Sequence, residues 1–187
     1  MMYFAPQLKS IMKIVKSFVL ILSIFGLNSA SAQTEVILKY SSESALTVNG
    51  LQVTSSTKPS ELIAVLGTAS RTIENKHGET AYYYDAVGLM FASKADVVNI
   101  VGVNYNWDGD EKFPKTSFTG SLSLGELSVT KETVSKDVAG IKNVTFKCPI
   151  PLMCLSEDQT VEVKCAVAFN KKKLSQIVFL IADPSKE

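Results

Sequence analysis

The sequence predicts an α+β fold: a tandem duplication of a β-hairpin–helix–antiparallel-meander module, with the helices packed on one face of antiparallel sheet. Three observations carry this expectation. Leu46–Thr57 and Leu122–Thr133 align without a gap at an offset of 76 residues, and Leu46/Leu122, Leu51/Leu127, Val53/Val129, Thr54/Thr130 and Thr57/Thr133 are identical. Further on, Asn99-Ile-Val101 returns as Gln176-Ile-Val178 at an offset of 77, and a fixed period of this kind is the mark of a repeated structural unit. Between these echoes the chain alternates apolar and polar residues, as a half-buried strand does.

Taken in order, Thr34–Lys39 reads as a short leading strand. Leu46, Val48, Leu51 and Val53 flank Asn49-Gly50, a two-residue hairpin signal, because both turn positions need positive φ. Gly125-Glu126 stands at the equivalent place and still supplies one glycine. Thr57 is placed as the N-cap of a helix that takes Pro59 in its first turn and ends before Gly67. Its counterpart is expected to run from Thr133 to Gly140. Both helices are short, so docking rather than propensity must stabilise them. Strands follow at Arg71–Asn75, Thr80–Asp85, Gly88–Ala92 and Val97–Tyr105. Turns are expected near His77-Gly78, Ala86-Val87 and Lys94–Asp96. The second copy offers strands at Val144–Cys148, Thr160–Phe169 and Leu174–Ile181, with a turn across Asn170–Lys173. Val161, Val163, Cys165, Val167 and Phe169 share one face of their strand. Residues 33–109 thus form the first module and 110–187 the second, packed on the first.

Residues 1–32 read as a signal peptide. Lys9, Lys13 and Lys16 form a basic start, Ser17–Leu27 an apolar run of about 11 residues, and Ala30-Ser31-Ala32 a small-residue cleavage site, with cleavage after Ala32. Met12 can serve as an internal start. The run is shorter than the roughly 20 residues that a membrane span requires, and no cysteine near the site offers a lipid anchor. The mature chain is therefore expected to be periplasmic or secreted, without a membrane span. Removing the three leader lysines from the 19 basic residues leaves 16 against 18 acidic ones. A slightly negative balance argues against nucleic acid and against a polybasic membrane surface.

No catalytic constellation is visible. The single histidine, His77, sits beside Gly78 in an expected hairpin turn, with no nucleophile elbow to accompany it. One histidine cannot furnish the usual zinc sets, and no glycine-rich phosphate loop is present. Asn104, Asn106, Asp108 and Gly109 mimic the spacing of a calcium loop, but Lys115 falls where a bidentate glutamate is needed. Cys148, Cys154 and Cys165 make an odd set, so one disulfide and one free thiol are expected. A Cys148–Cys154 clip and a Cys148–Cys165 cross-strand bridge both remain open. No cofactor or metal is expected.

Aromatics are the remaining signal. In Tyr82-Tyr83-Tyr84, Tyr83 faces opposite to its neighbours, and Trp107 and Phe113 lie in the polar stretch Asn106–Ser117. Tyr83, Trp107, Asp108, Asp110 and Phe113 are therefore the candidate partner-binding residues, since exposed Tyr and Trp are favoured interface anchors.

The two helix-plus-sheet modules, in a secreted chain of this size, resemble the beta-lactamase inhibitory protein family in architecture. Leu66-Gly67-Thr-Ala-Ser-Arg71 followed by Tyr83-Tyr84-Asp85 is similar to the helix-to-strand junction of small bacterial envelope modules. The resemblance covers the junctions and the repeat pattern. Such likeness does not by itself transfer function. A duplicated sheet, however, gives a broad, rigid surface with the turns and Asn106–Ser117 as contact loops. A non-enzymatic protein-binding module is therefore expected, in its most concrete form an immunity or inhibitor protein that neutralises a toxin or enzyme. A structural or ligand-binding envelope module, taking glycan or calcium through Asn104–Glu111, is the other function class. No inhibitory residue carries over.

Overall fold

In the computed structural model, residues 35–41, 45–157 and 162–182 are described. The leader and its cleavage site lie outside them, as do Thr34, Thr160 and Val161. Thr34–Glu187 makes one compact unit.

Thirteen strands among the described residues form two sheets. β1 (Ile37–Tyr40), β2 (Leu46–Val48), β3 (Leu51–Val53), β8 (Ser121–Leu124) and β9 (Leu127–Ser128) give a five-stranded sheet in the order β3-β2-β1-β8-β9. β4 (Arg71–Glu74), β5 (Glu79–Tyr84), β6 (Leu89–Lys94), β7 (Val97–Asn104), β10 (Phe146–Ile150), β11 (Met153–Ser156), β12 (Val163–Asn170) and β13 (Lys173–Ile181) give an eight-stranded sheet. Its order, β10-β11-β12-β13-β7-β6-β5-β4, is two four-stranded meanders joined edge to edge by the antiparallel β7–β13 pair. Both sheets therefore draw strands from both halves of the chain. All pairs are antiparallel except β1–β8.

Alternation in the strands explains where the core sits. One face of the large sheet presents Tyr84, Leu89, Val103, Ile177, Val167 and Cys154, neighbours in the register of successive strands. These residues share one buried cluster with Leu38, Tyr40, Leu46, Val48, Leu122 and Leu124 of the small sheet. Tyr40 links the layers directly: its ring lies 5.5 Å from that of Phe179, and its hydroxyl donates to the Val163 carbonyl at 2.9 Å.

The expected α+β layering is corrected by this arrangement. The structure is mainly β, with 47% strand and 9% helix, and what covers the large sheet is the small sheet. The helices, α1 (Pro59–Leu66) and α2 (Ser135–Ala139), have eight and five residues. At 1.5 Å per residue the longer spans about 12 Å, whereas eight strands at about 4.8 Å spacing extend beyond 30 Å. Such helices can only plug gaps, which they do through Pro59 and Leu62 in α1 and Val138 in α2.

Cap positions are shifted by one residue from expectation. Lys58 and Val134 are the N-caps, and the helices begin at Pro59 and Ser135. Thr57 and Thr133 are buried just before them, where each hydroxyl accepts the amide of the threonine three residues earlier, at 2.8 and 3.0 Å. Glu61 Oε2 accepts from the Lys58 amide and Asp137 Oδ2 from the Val134 amide, at 2.7 and 2.9 Å, placing an acid at each positive helix end. These bonds recur at the 76-residue offset seen in the sequence.

The second meander differs from its expected outline. Its first strand begins at Phe146 rather than Val144, and β11 was not anticipated, because Pro149 and Pro151 made that stretch read as a loop. The disulfide joins Cys148 to Cys154 across the β10–β11 turn, while Cys165 stays free and fully buried. Cys165 faces the core, so the Cys148–Cys165 alternative is excluded.

Candidate functional site: the outer face of the large sheet

The face of the eight-stranded sheet that points away from the small sheet is unusual in composition. Reading across the register, one row runs Arg71, Tyr83, Met90, Gly102, Val178, Ala166, Leu155 and Lys147. The next runs Ile73, Ala81, Ala92, Ile100, Leu180 and Lys164, and a third carries Ile150, Met153 and Ala168. An antiparallel sheet with one wet face ordinarily alternates apolar inside with polar outside. Here both faces are apolar. Ile73 (48%), Ile150 (49%), Leu180 (44%), Leu155 (41%) and Met153 (39%) are open to solvent.

Part of this face is covered by the stretch 106–117, which is more than a linker. Phe113 is buried in a small second core with Tyr83, Met90 and Ala92. Gly102 makes room for it, because a Cβ there would lie 2.8 Å from Phe113 Cε1. Two further contacts set the loop's course: Trp107 Nε1 donates to the Asp110 carbonyl at 3.1 Å, and the Lys115 ammonium sits 5.0 Å from the Trp107 ring centre. Asp108 accepts from Ser175 Oγ at 2.5 Å and from Gln176 Nε2 at 3.3 Å. Asp110 Oδ1 accepts the Lys112 amide at 2.9 Å.

Where the loop meets β4 and β5, a cleft of about 460 Å³ is lined by Arg71, Asp85, Glu111, Phe113, Lys115 and Thr116. Arg71 holds Asp85 through two bonds, at 2.9 and 3.3 Å, and its guanidinium lies 3.6 Å from the centre of the Tyr83 ring. Both partners are about two-fifths exposed, so the pair fixes geometry more than it adds stability. The junction residues singled out in the sequence meet here. The Ser70 amide donates to the Tyr83 carbonyl at 2.7 Å, Ser70 Oγ accepts the Asp85 amide at 3.1 Å, and the Tyr84 hydroxyl donates to the Gly67 carbonyl at 2.9 Å.

The five candidate binding residues have therefore separate fates. Tyr83 and Phe113 lie together but are 5% and 8% exposed, so neither ring is free for a partner, because each covers the other. Trp107 is 42% exposed and lies on the loop beside the cleft. Asp108 and Asp110 are committed to holding that loop. Apart from Tyr83, the sequence expectations address only the buried side of each strand and so do not include the apolar outer face. Its signal was present in Ile73, Ile100, Val178 and Leu180, which stand at positions that a one-faced strand fills with polar residues.

The calcium-like spacing does not produce a converging set of oxygens. Asn104 is fully buried and its Nδ2 donates to the Thr116 carbonyl at 3.1 Å, whereas Asn106 Nδ2 donates to the Leu174 carbonyl at 2.6 Å. Asp108 and Asp110 are engaged as described. Among the described residues no group of three His, Cys, Asp or Glu side chains gathers as a metal site. His77 is exposed in its turn, with its amide donating to Asn75 Oδ1 at 2.9 Å. Burial pushes the Cys165 thiol well above its ordinary range, which keeps it a neutral, unreactive core group. Burial likewise raises Tyr105, and it raises Tyr84 to about 12 with help from Tyr82.

The chain belongs to a protein family described as "Domain of unknown function (DUF7738)", whose model matches residues 38–139. That span reaches from β1 through α2 and holds nearly all of the small sheet and the whole first meander. Among solved structures, an extracellular protein containing a SCP domain from Bacillus anthracis str. Ames is similar at a TM-score of 0.43 and 11% identity, over 68% of this chain and 44% of that one. The chain thus spans less than half of that protein. No curated protein matches it.

Proposed function

We propose that this member of the DUF7738 family is a non-enzymatic, exported protein-binding module of the bacterial envelope that grips another protein with the outer face of its eight-stranded sheet. Its most concrete form is an immunity or inhibitor protein that neutralises a toxin or an envelope enzyme. The observation that carries the reading is that Ile73, Leu155, Leu180, Met153 and Ile150, spread over three rows of that face, are open to solvent. An exposed apolar surface of this breadth marks an interaction site. Lys147, Lys164 and the Arg71–Asp85 pair supply a polar rim around it, as interfaces have. Trp107 stands at the margin as an aromatic anchor.

Export is part of this proposal. It rests on the leader in residues 1–32 and accords with the Cys148–Cys154 disulfide, a bond that persists in oxidising compartments. Among the described residues no helix is long and apolar enough to cross a membrane. Tandem duplication, also part of the reading, is supported by the hairpin–helix–meander order occurring twice and by the cap bonds that recur at one offset.

The test uses the mature chain as bait in envelope extract, compared with a Leu155→Glu/Leu180→Glu double variant. Each buried Leu or Ile contributes about 1.5–3 kcal/mol, so losing two anchors weakens capture by about a hundredfold or more. A protein retained equally by both baits would sink the proposed surface.

A further inference from the structure

We propose that the depression between the β9–α2 turn and the β12–β13 hairpin binds a phosphate group carrying more than one negative charge. It has a volume of about 390 Å³ and is lined by Asn106, Lys131, Glu132, Val134, Lys172 and Lys173. Three lysines and a single glutamate therefore line one depression. That carboxylate offsets little, because Lys131 and Glu132 are 3.9 Å apart and 67% and 69% exposed. Among the described residues Lys172 and Lys173 form no ion pair.

Like charges in one depression repel, and two further observations bear on the backbone that carries them. Asn106 Nδ2 donates to the Leu174 carbonyl at 2.6 Å and to the Lys131 carbonyl at 3.4 Å. One side chain thus pins the two backbones that carry the lysines. The hairpin turn itself puts Lys171 and Lys172 at φ of 49° and 67°, left-handed seats that Asn and Gly fill at least cost. The corresponding turn of the first half uses Ala95 and Asp96 at φ of 51° and 62°, and Ser55 occupies the place equivalent to Lys131. The turn geometry does not require lysine; charge is what the second half adds.

A compact ammonium serves phosphate as a point charge. Three lysines against one glutamate leave a charge of +2, so a singly charged anion would leave the cluster unbalanced, whereas a phosphomonoester neutralises it and a diphosphate more than does so. Soluble phosphate and a lipid headgroup share this chemistry, and the experiment separates them.

The mature chain is titrated with pyrophosphate against sodium chloride at matched ionic strength, with thermal unfolding and amide NMR shifts as readouts. Binding raises Tm by about 3 °C and moves the amides of Lys131, Lys172 and Lys173. The Lys131→Gln/Lys172→Gln/Lys173→Gln variant loses both responses, and Lys94→Gln, on another hairpin, keeps them. Lys172→Gln alone serves if the triple variant is poorly folded. Co-sedimentation with phosphatidic acid vesicles, whose headgroup is a phosphomonoester, competed by pyrophosphate, assigns a headgroup; a Tm response without sedimentation assigns a soluble phosphate. No response to either probe, or an equal response from the triple variant, overturns the proposal.

Discussion

Asn49 ties three elements with one side chain. Its Oδ1 accepts the Ile37 amide at 2.7 Å, its Nδ2 donates to the Val65 carbonyl at 2.9 Å, and its backbone holds φ of 48° in the β2–β3 turn. β1, the first hairpin and the open carbonyl end of α1 are thereby joined. Replacing it with alanine removes two hydrogen bonds and puts a Cβ-branch-free but still restricted residue in a left-handed seat. We expect Asn49→Ala to cost about 2–3 kcal/mol in denaturant unfolding. Tyr84 makes a second residue-scale case. Its folded pKa of about 12 lies above its ordinary value of 10.0, so its contribution is fully present below pH 10 and is lost as pH rises toward 12. Thermal unfolding of the wild type should weaken across that window, and Tyr84→Phe should show a shallower alkaline loss while being about 1 kcal/mol less stable at neutral pH. The Asn49-Gly50 turn was legible because its φ demand selects residue types. The burial of Tyr83 and Phe113 was not, because nothing in a polar loop announces which strand face it will lie across.

Elements show the same division. Strands with strict alternation, such as β12, were readable within a few residues, since period two survives any tertiary setting. The β10–β11 hairpin was not, because its prolines sit at an edge and its disulfide supplies the constraint that pattern lacks. The helices were found, but their rank was overestimated: local cap signals mark where a helix starts without saying how much sheet it must cover. The stretch 106–117 behaves as an element in its own right, seated by Phe113 over Gly102. Phe113→Ala should cost about 2–4 kcal/mol, toward the lower end of aromatic truncations because the cluster is small. It should also shift the emission of Trp107, the sole tryptophan, as the loop lifts. An unchanged spectrum and unchanged stability would show that the loop is held elsewhere.

For the whole molecule, two sheets share one core and leave a second apolar face in water. A closed sandwich would stop at the core, and five open aliphatic side chains would only invite aggregation. Residues 106–117 cover only part of that face, and the proposed partner would meet the rest within its charged rim. Burying it against a partner would remove the exposed apolar area that the fold alone cannot hide. The sequence suggests a binding protein but does not show the open outer face, because pairing register, which decides which residues share a face across eight strands, depends on strand order and so on long-range topology. Equilibrium affinity for the captured partner tests this most directly, measured for the wild type, Leu155→Glu/Leu180→Glu and Trp107→Ala by calorimetry, with circular dichroism confirming the fold of each. The outer-face account predicts a loss of about a hundredfold or more for the double variant and a smaller one for Trp107→Ala. Wild-type affinity in a folded double variant would contradict it.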